Sequence, residues 1–505
     1  MDRLPVDVAL YILRFCRLQD TLAVALVCTS LNALTTQRGF WITALQNERH
    51  FKPIACTHNE DLTKHELARL RTIALRTLRL ERNWTSEKPQ LLGPVKTVVL
   101  GLPRLDTLFQ IPGTWLYVFH CPATECIELW DVGQGKKIAE PIPIGRNVWD
   151  VSPGEDLCGK FSMGLLAAKD NGAIYKLMVV CVKHGGTNTP TLCLTLEVDL
   201  ISPAEHWAVF IDVDVVGTLC YSYEMEKLCV TAVNRSTGQQ TFITTDLPSE
   251  EVPLAIVHMA QSGTAIVKGD LCIIFAETYR SWIFTLPRRY LPTNDNPACL
   301  KLAHLNWGPN FATFGNLSDD EDEDEPESIH LNVLTANDTY GVLAISLDKR
   351  DTWEHSNTGG VPIRRELGLT AWVTVPPSDS NIGFPVHLEP LPLEEAIAGT
   401  LQSLRDPETD NPWLLIVQTL SGRKSLLLTN ITPEDADPDI EEQLVLRLVH
   451  CEPEAENEDE RIYYRDLEIP SFINLSKVHG LFLDDHMGVV TMVDTKGVLY
   501  ALPMA

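Results

Sequence analysis

The chain has 505 residues, of which 45% are hydrophobic and 22% charged, the balance of a folded protein too long for one core. Its 68 Asp and Glu against 41 Lys and Arg leave a net charge of −27, the wrong sign for non-specific binding to nucleic-acid phosphates. Thirteen cysteines, an odd number without a CxxC pair, do not form the framework of a small disulfide-stapled domain; the expectation is a reducing compartment, cytoplasm and/or nucleus.

The charge is unevenly shared. Residues 1–84 hold twelve Lys/Arg and eight Asp/Glu, a balance of +4, so residues 85–505 carry −31. The N-terminal "LPVDVALYILRFC" is apolar enough to suggest a secretory leader, but Pro5, Asp7, Arg14, Arg17 and Asp20 interrupt it. A leader needs a basic start, an unbroken apolar stretch and a small-residue cleavage site, so neither export nor a membrane anchor is expected.

The stretch reads instead as a helix opened by Pro5, with Val6, Leu10, Ile12 and Leu13 at helical spacing and Asp7 at the positive end of the dipole. Asp20 reads as the N-cap of a second helix, "DTLAVALVC", and a third runs through "TSLNALTTQRGFWITAL". Three short helices leave more apolar face than they can cover among themselves, which implies a partner.

These residues carry a resemblance. Leu4, Pro5, Asp7, Ile12, Leu13, Asp20, Leu22, Leu26, Val27, Leu31 and Trp41 stand where an F-box motif places them, while Ala9, Cys16 and Thr21 occupy positions that are usually leucine in that family. The resemblance covers residues 1–46. It implies docking, through Leu4, Pro5, Asp7, Val8, Ile12, Leu13, Leu22, Leu26, Val27, Leu31 and Trp41, onto a Skp-type adaptor and through it a cullin. The chain would then be a non-catalytic substrate receptor of an SCF-type ubiquitin ligase, or else a scaffold that uses the adaptor for assembly without degrading a target.

Residues 47–90 read as a helical linker. Its main helix, "DLTKHELARLRTIALRTLRLERNW", is expected to start at a Thr63–Glu66 capping box and to bury Leu67, Leu70, Ile73, Ala74 and Leu78. The Asn83-Trp84 end is similar to the connector of fungal F-box proteins.

Past Trp84 the pattern changes to short apolar runs separated by Pro, Gly and Asp turns, with no helical crossover between them, so the sheets should be antiparallel meanders. "IELWDV" ends in Trp130-Asp131, a dipeptide common at strand ends in WD-type blades, and "VFIDVDVV" alternates Val209, Ile211, Val213 and Val215 with Asp212 and Asp214. The fold class expected for residues 91–505 is a β-propeller of about seven blades (six to eight), closed by the C-terminal "GVLYALP" pairing just after residue 91. Two β-sandwiches are the competing arrangement. Residues 316–328, "NLSDDEDEDEPES", read as an acidic loop within the propeller, with Ser318 ahead of three acids as a candidate phosphorylation site, and "LPLEEAIAGTLQSLRD" reads as a short inserted helix.

No catalytic chemistry is legible. Hydrolase elbow, HExxH and Walker patterns are absent, and "DVGQGKK" reads as a hairpin turn. Asp484, Asp485 and His486 are consecutive and so poorly placed to converge on a metal, and His120 with Cys121 and Cys126 lacks a second ligand pair. Neither an enzyme, a cofactor nor a metal is expected. The expected target is a protein with a basic contact patch.

Overall fold

A computed structural model describes residues 6–101, 105–244 and 262–294, the strands between 329 and 418, and residues 424–504, with short gaps inside these ranges. The acidic segment 316–328 and its Ser318 lie outside the described residues.

Five α-helices come first: α1 Val6–Leu13, α2 Leu18–Ala25, α3 Thr29–Leu34, α4 Arg38–Phe51 and α5 Leu67–Trp84. The single helix expected across 29–45 is two. Thr35 and Thr36 turn their hydroxyls back onto the carbonyls of Asn32 and Ala33, both at 2.7 Å. The Thr35 carbonyl accepts instead from Trp41 Nε1 at 2.8 Å and Arg71 Nη2 at 2.7 Å, so the helical ladder breaks there. Asp20 is not a cap either. The second helix starts two residues earlier, and the N–H of Leu18 donates to Glu48 Oε2 of α4 at 2.7 Å, a cap supplied by tertiary structure. The expected Thr63–Glu66 capping box does not form: Asp61 caps a 3₁₀ turn at Leu62–Lys64, and Glu66 stands at the start of α5 without a side-chain cap bond.

The helical core gathers Leu13, Leu18, Leu31, Leu34, Phe40, Trp41 and Leu45 with Leu70, Ile73 and Ala74 of α5. Farther along, α5 changes partners. Leu80 and Trp84 are buried with Leu426, Leu446, Leu481 and Leu502 of the β-rich body. One rigid helix therefore belongs to both cores, which couples the N-terminal helices to the body by burial rather than by a tether.

The body is a succession of antiparallel meanders. Among the described residues they form seven sheets of three to five strands and one two-stranded pair. Strand Ala204–Ile211 pairs with Val215–Ser222, that with Lys227–Asn234, and that with Gln240–Thr244, and the same sequential pattern repeats from sheet to sheet. Val215–Ser222 is buried along its whole length, as expected of a strand covered by neighbouring sheets on both faces.

Successive sheets touch in a circle. Ala204–Ile211 contacts Asn147–Val151 before it and Ser262–Val267 after it; Ile329–Asn337, Leu415–Gln418 and Val478–Asp484 continue the series, Val478–Asp484 contacts Asp106–Gln110, and the sheet of Asp106–Gln110 packs on that of Asn147–Val151 with Phe109 stacked on Phe161. Closure follows the expected pairing: Lys96–Val99 pairs antiparallel with Val498–Pro503, from Lys96 opposite Ala501 to Val99 opposite Val498. A closed ring of antiparallel meanders is a β-propeller, not a pair of sandwiches.

The alternation read through "VFIDVDVV" is not one strand. Ala208 adopts a positive φ of 49° at a bulge, the strand ends at Ile211, and Asp212 closes a tight turn by donating its N–H to the Val215 carbonyl at 2.8 Å. Arg288 binds the carboxylates of both Asp212 and Asp214, so the two acids mark a turn held by a cation from the next sheet. Of the inserted helix expected after residue 391, Leu404–Arg405 instead forms a strand with Pro412–Trp413; Leu393, Ile397 and Leu401 lie outside the described residues.

Candidate docking surface

The helical core sorts α1 into two faces. Leu13 is buried and Leu10 packs against the core, whereas Val8, Tyr11, Ile12 and Phe15, at helical spacing on the opposite face, are exposed. Phe15 is 74% exposed, and the Tyr11 and Phe15 rings meet edge to face with centroids 5.5 Å apart. In the turn between α2 and α3, Leu26 is 78% and Val27 75% exposed. Large apolar side chains left in water at this density make this a candidate surface for a partner to cover, each covered side chain being worth roughly 1.5–3 kcal/mol.

The residues read from the sequence therefore divide. Val8, Ile12, Leu26 and Val27 face solvent; Leu22 is partly covered against the core; Leu13, Leu31 and Trp41 are inside, where they set the spacing of the helices. Asp7 lies in the first turn of α1, and Leu4 and Pro5 lie outside the described residues. Tyr11 and Phe15 were not singled out by sequence. Their separation of three and four residues from Val8, Ile12 and each other is the signal that would have found them.

The surface is held from behind by charge and hydrogen bonds. Glu48, 1% exposed, accepts from the Leu18 N–H and lies 3.5 Å from Arg17 and 3.3 Å from Lys52, and Lys52 reaches Glu81 of α5 at 3.1 Å. Asn47 Nδ2 donates to the carbonyl of Cys16 at 2.6 Å, pinning the turn after α1. Arg71 stacks over Trp41 at 5.9 Å.

A second clamp joins the linker to the propeller. Backbone around Thr57 packs against Gly113, Asn59 Nδ2 donates to the Asp156 carbonyl at 3.0 Å, and Arg76 Nη2 donates to the Met487 carbonyl at 2.8 Å. The turn 484–487, between strands Val478–Asp484 and Val489–Asp494, is the socket. Asp484 accepts from the N–H groups of Gly113, His486 and Met487 and from Gln110 Nε2, all at 2.8–3.0 Å; burial pushes its carboxyl up to about 6. The "LDDHMG" segment is thus a turn of the β-rich body to which Ile54, His58 and Arg76 are bound. His120 likewise is a buried core residue, with Nδ1 3.2 Å from Asp106 and Nε2 3.0 Å from the Gly145 carbonyl, and Cys121 and Cys126 face each other across a hairpin as free thiols. Among the described residues no group of three or more His, Cys, Asp or Glu could hold a metal ion, and no helix is long and apolar enough to cross a membrane.

Residues 1–46 match the F-box-like family. The chain carries an N-terminal F-box-like domain. Several solved structures are similar over most of the chain. They include the β-propeller domain of Myceliophteria thermophila Cps50 (Swd1), at 7% identity, covering 82% of this chain and 98% of that one with a TM-score of 0.38. The WD40 domain of SCAP from fission yeast is similar at 9% identity, covering 83% and 95% with a TM-score of 0.38. The N-terminal domain of Nup159 is similar at 9% identity, covering 83% and 98% with a TM-score of 0.34. No curated protein matches the chain. What makes the body behind this F-box-like domain a propeller is its own strand pairing and ring closure.

Proposed function

We propose that the chain is a non-catalytic substrate receptor of an SCF-type ubiquitin ligase. Residues 1–46 dock a Skp-type adaptor, and through it a cullin; residues 47–90 set the spacing; residues 91–505 hold a protein target. The observation that carries this reading is the exposed apolar face of Val8, Tyr11, Ile12, Phe15, Leu26 and Val27 on helices that match the F-box-like family. The mechanism is proximity: a target held on a rigid ring, fused through α5 to the adaptor-binding helices, presents its lysines to a charged ubiquitin carrier at high effective concentration. The work is done in the cytoplasm or nucleus, where the adaptor resides.

The deciding experiment is co-purification of the tagged full chain with adaptor and cullin. Recovery of both is expected for the native chain, and Leu4→Ala with Pro5→Ala is expected to weaken it. Adaptor recovery at the level of an untagged control would overturn the reading.

A further inference from the structure

One surface of the propeller exposes two aromatic rings, Trp149 and Tyr223, backed by the half-buried Tyr175 and the buried Tyr221 of the sheets beneath. Trp149 is 58% and Tyr223 54% exposed, and Met225 beside them is 41% exposed. The rings are connected. Trp149 meets Tyr175 edge-on with centroids 6.2 Å apart, and Tyr221 meets Tyr223 at 5.2 Å. Between the two pairs stands Glu205, which accepts a hydrogen bond from the Tyr223 hydroxyl at 2.6 Å and lies opposite Tyr221 in the strand register. Burial, then the charge of Glu205, raises the pKa of the Tyr175 phenol, and the hydrogen bond to Glu205, then burial and the Glu205 charge, raises that of Tyr223 to about 12. The hydroxyls of both sheets thus stay neutral around one carboxylate.

The position of this cluster in the fold follows from strand direction. Val215–Ser222 starts beside the turn Asp212–Asp214 and ends at Tyr223. The Asp212 end belongs with the linker clamp: Arg235 joins the Asp212 carbonyl to Glu155, next to the Asp156 carbonyl that Asn59 holds. Eight strand residues separate the two ends, about 25 Å. Tyr175 and Trp149 lie at the same far end of their own sheet, opposite Ala168 and beside Val148, which faces Ala167. The aromatic cluster therefore occupies the propeller face turned away from the F-box-like helices.

We infer that the Trp149–Tyr175–Glu205–Tyr223 surface binds an arginine-bearing peptide segment of the target. The inference deepens the receptor reading and rests on it for the identity of the target's role. Aromatic faces attract a cation through their quadrupole, and a planar guanidinium stacks on them while its N–H groups reach a carboxylate. Glu205 supplies that carboxylate and the neighbouring Glu224 a further charge, while the nearby Lys176 is already paired with Glu197. A chain of net charge −27 adds long-range attraction for a basic segment. An acidic or phosphorylated peptide meets the wrong sign here.

The test is fluorescence anisotropy of the full chain with a labelled Gly-Ser-Arg repeat peptide, set against the same peptide with citrulline in place of arginine. The arginine peptide should bind, more weakly as salt is raised, and the citrulline peptide about tenfold less tightly or worse. Trp149→Ala and Glu205→Gln should each weaken arginine-peptide binding at least about fivefold. Trp149 is largely exposed and Gln retains an oxygen for Tyr223, so thermal melts should match the native chain; if Trp149→Ala unfolds, Glu205→Gln decides. The inference is overturned if the native chain does not bind the arginine peptide, if citrulline binds equally, or if both folded variants bind as the native chain does. Adaptor recovery, measured on the same samples, separates the two ideas: loss of peptide binding with adaptor capture intact removes only this surface, and the converse removes only the ligase reading.

Discussion

His58 of the linker and His486 of the propeller, 428 positions apart, meet with Nδ1 of the first 3.2 Å from Nε2 of the second and ring centroids 5.1 Å apart. The proton can be placed. His486 Nδ1 faces the Ile54 carbonyl at 3.0 Å, which can only accept, so Nδ1 carries the hydrogen and Nε2 is left to accept from His58. His58, as the donor, keeps this bond with or without a second proton, so it is the buried site and not the bond that opposes its charge. Burial, then the charge of His486, holds the pKa of His58 down at about 4, against the opposing pull of Asp156 and Asp485 and with the help of Arg49.

A folded-state pKa below the unfolded value of about 6.5 means that the unfolded chain takes up the proton first. The stability from burying His58 as a neutral ring is therefore complete above about pH 6.5 and is lost as pH falls toward 4. Thermal melts should fall over that window by an amount on the order of 1–3 kcal/mol, and His58→Gln should flatten part of the slope. Buried His450, held at about 3 by burial and by Lys424, acts in the same direction and accounts for slope that survives the substitution. Asp484, raised to about 6, has the opposite sign: its contribution is present at low pH and is lost as pH rises through 6. An unchanged pH profile in His58→Gln would remove the joint as the source.

Gly113 is required by the same joint. Its φ is +75°, and a Cβ there would lie 2.5 Å from Thr57 Cα and 2.6 Å from the Cys56 carbonyl oxygen, both backbone atoms. Gly113→Ala combines left-handed backbone strain with a clash that no side-chain rotation relieves. It should cost about 2 kcal/mol or more and should raise proteolytic cleavage between residues 52 and 66, because the linker must lift off the propeller. Limited proteolysis with the native pattern would contradict this.

Around α5, Lys424 lies 3.8 Å from Glu81 and 4.9 Å from the centre of the buried Trp84 ring. Burial alone would raise the Glu81 carboxyl, but Lys424 and Lys52 outweigh it and hold it at about 2. Its stabilisation is present above about pH 4.5 and is lost as pH falls toward 2. Glu81→Gln removes the carboxylate shared by Lys52 and Lys424, the latter 3% exposed, and should cost about 3 kcal/mol. Lys424→Met, which keeps an apolar stem on Trp84, should be milder, and adding it to Glu81→Gln should recover part of the loss in chemical denaturation. Additive losses would show that the two side chains do not act on each other.

What was legible in the sequence follows the range of the interaction. Strand runs, the hairpin at "DVGQGKK" and the closing of "GVLYALP" on residues after 91 rest on local pattern or on the need of a ring to close, and the strands pair accordingly. The break at Thr35, the cap of Leu18 by Glu48 and the clamp of His58 on His486 depend on residues far apart in the chain. Asp212 and Asp214 misled because alternating acids fit an exposed strand face as well as a turn; Arg288, more than seventy positions later, decides between them. At the docking surface the motif marked Leu31 and Trp41 together with Leu26 and Val27, but only packing separates the residues that hold the helices from those that face outward.

That separation predicts two kinds of loss. Leu26→Asp and Val27→Asp place charge on side chains that are 78% and 75% exposed, so the free protein should melt as the native chain does, within about 0.5 kcal/mol, while adaptor recovery falls by tenfold or more. Trp41→Ala removes a side chain that is 5% exposed, the donor to the Thr35 carbonyl and the platform for Arg71. It should cost about 3–5 kcal/mol of helical-domain stability and lose the adaptor only as a consequence. Phe15→Ser extends the comparison to a residue that is not one of the motif positions: exposed and apolar, it should weaken adaptor recovery without shifting the melt. If Phe15→Ser and Leu26→Asp both leave recovery unchanged while Trp41→Ala abolishes it, the adaptor does not bind this face.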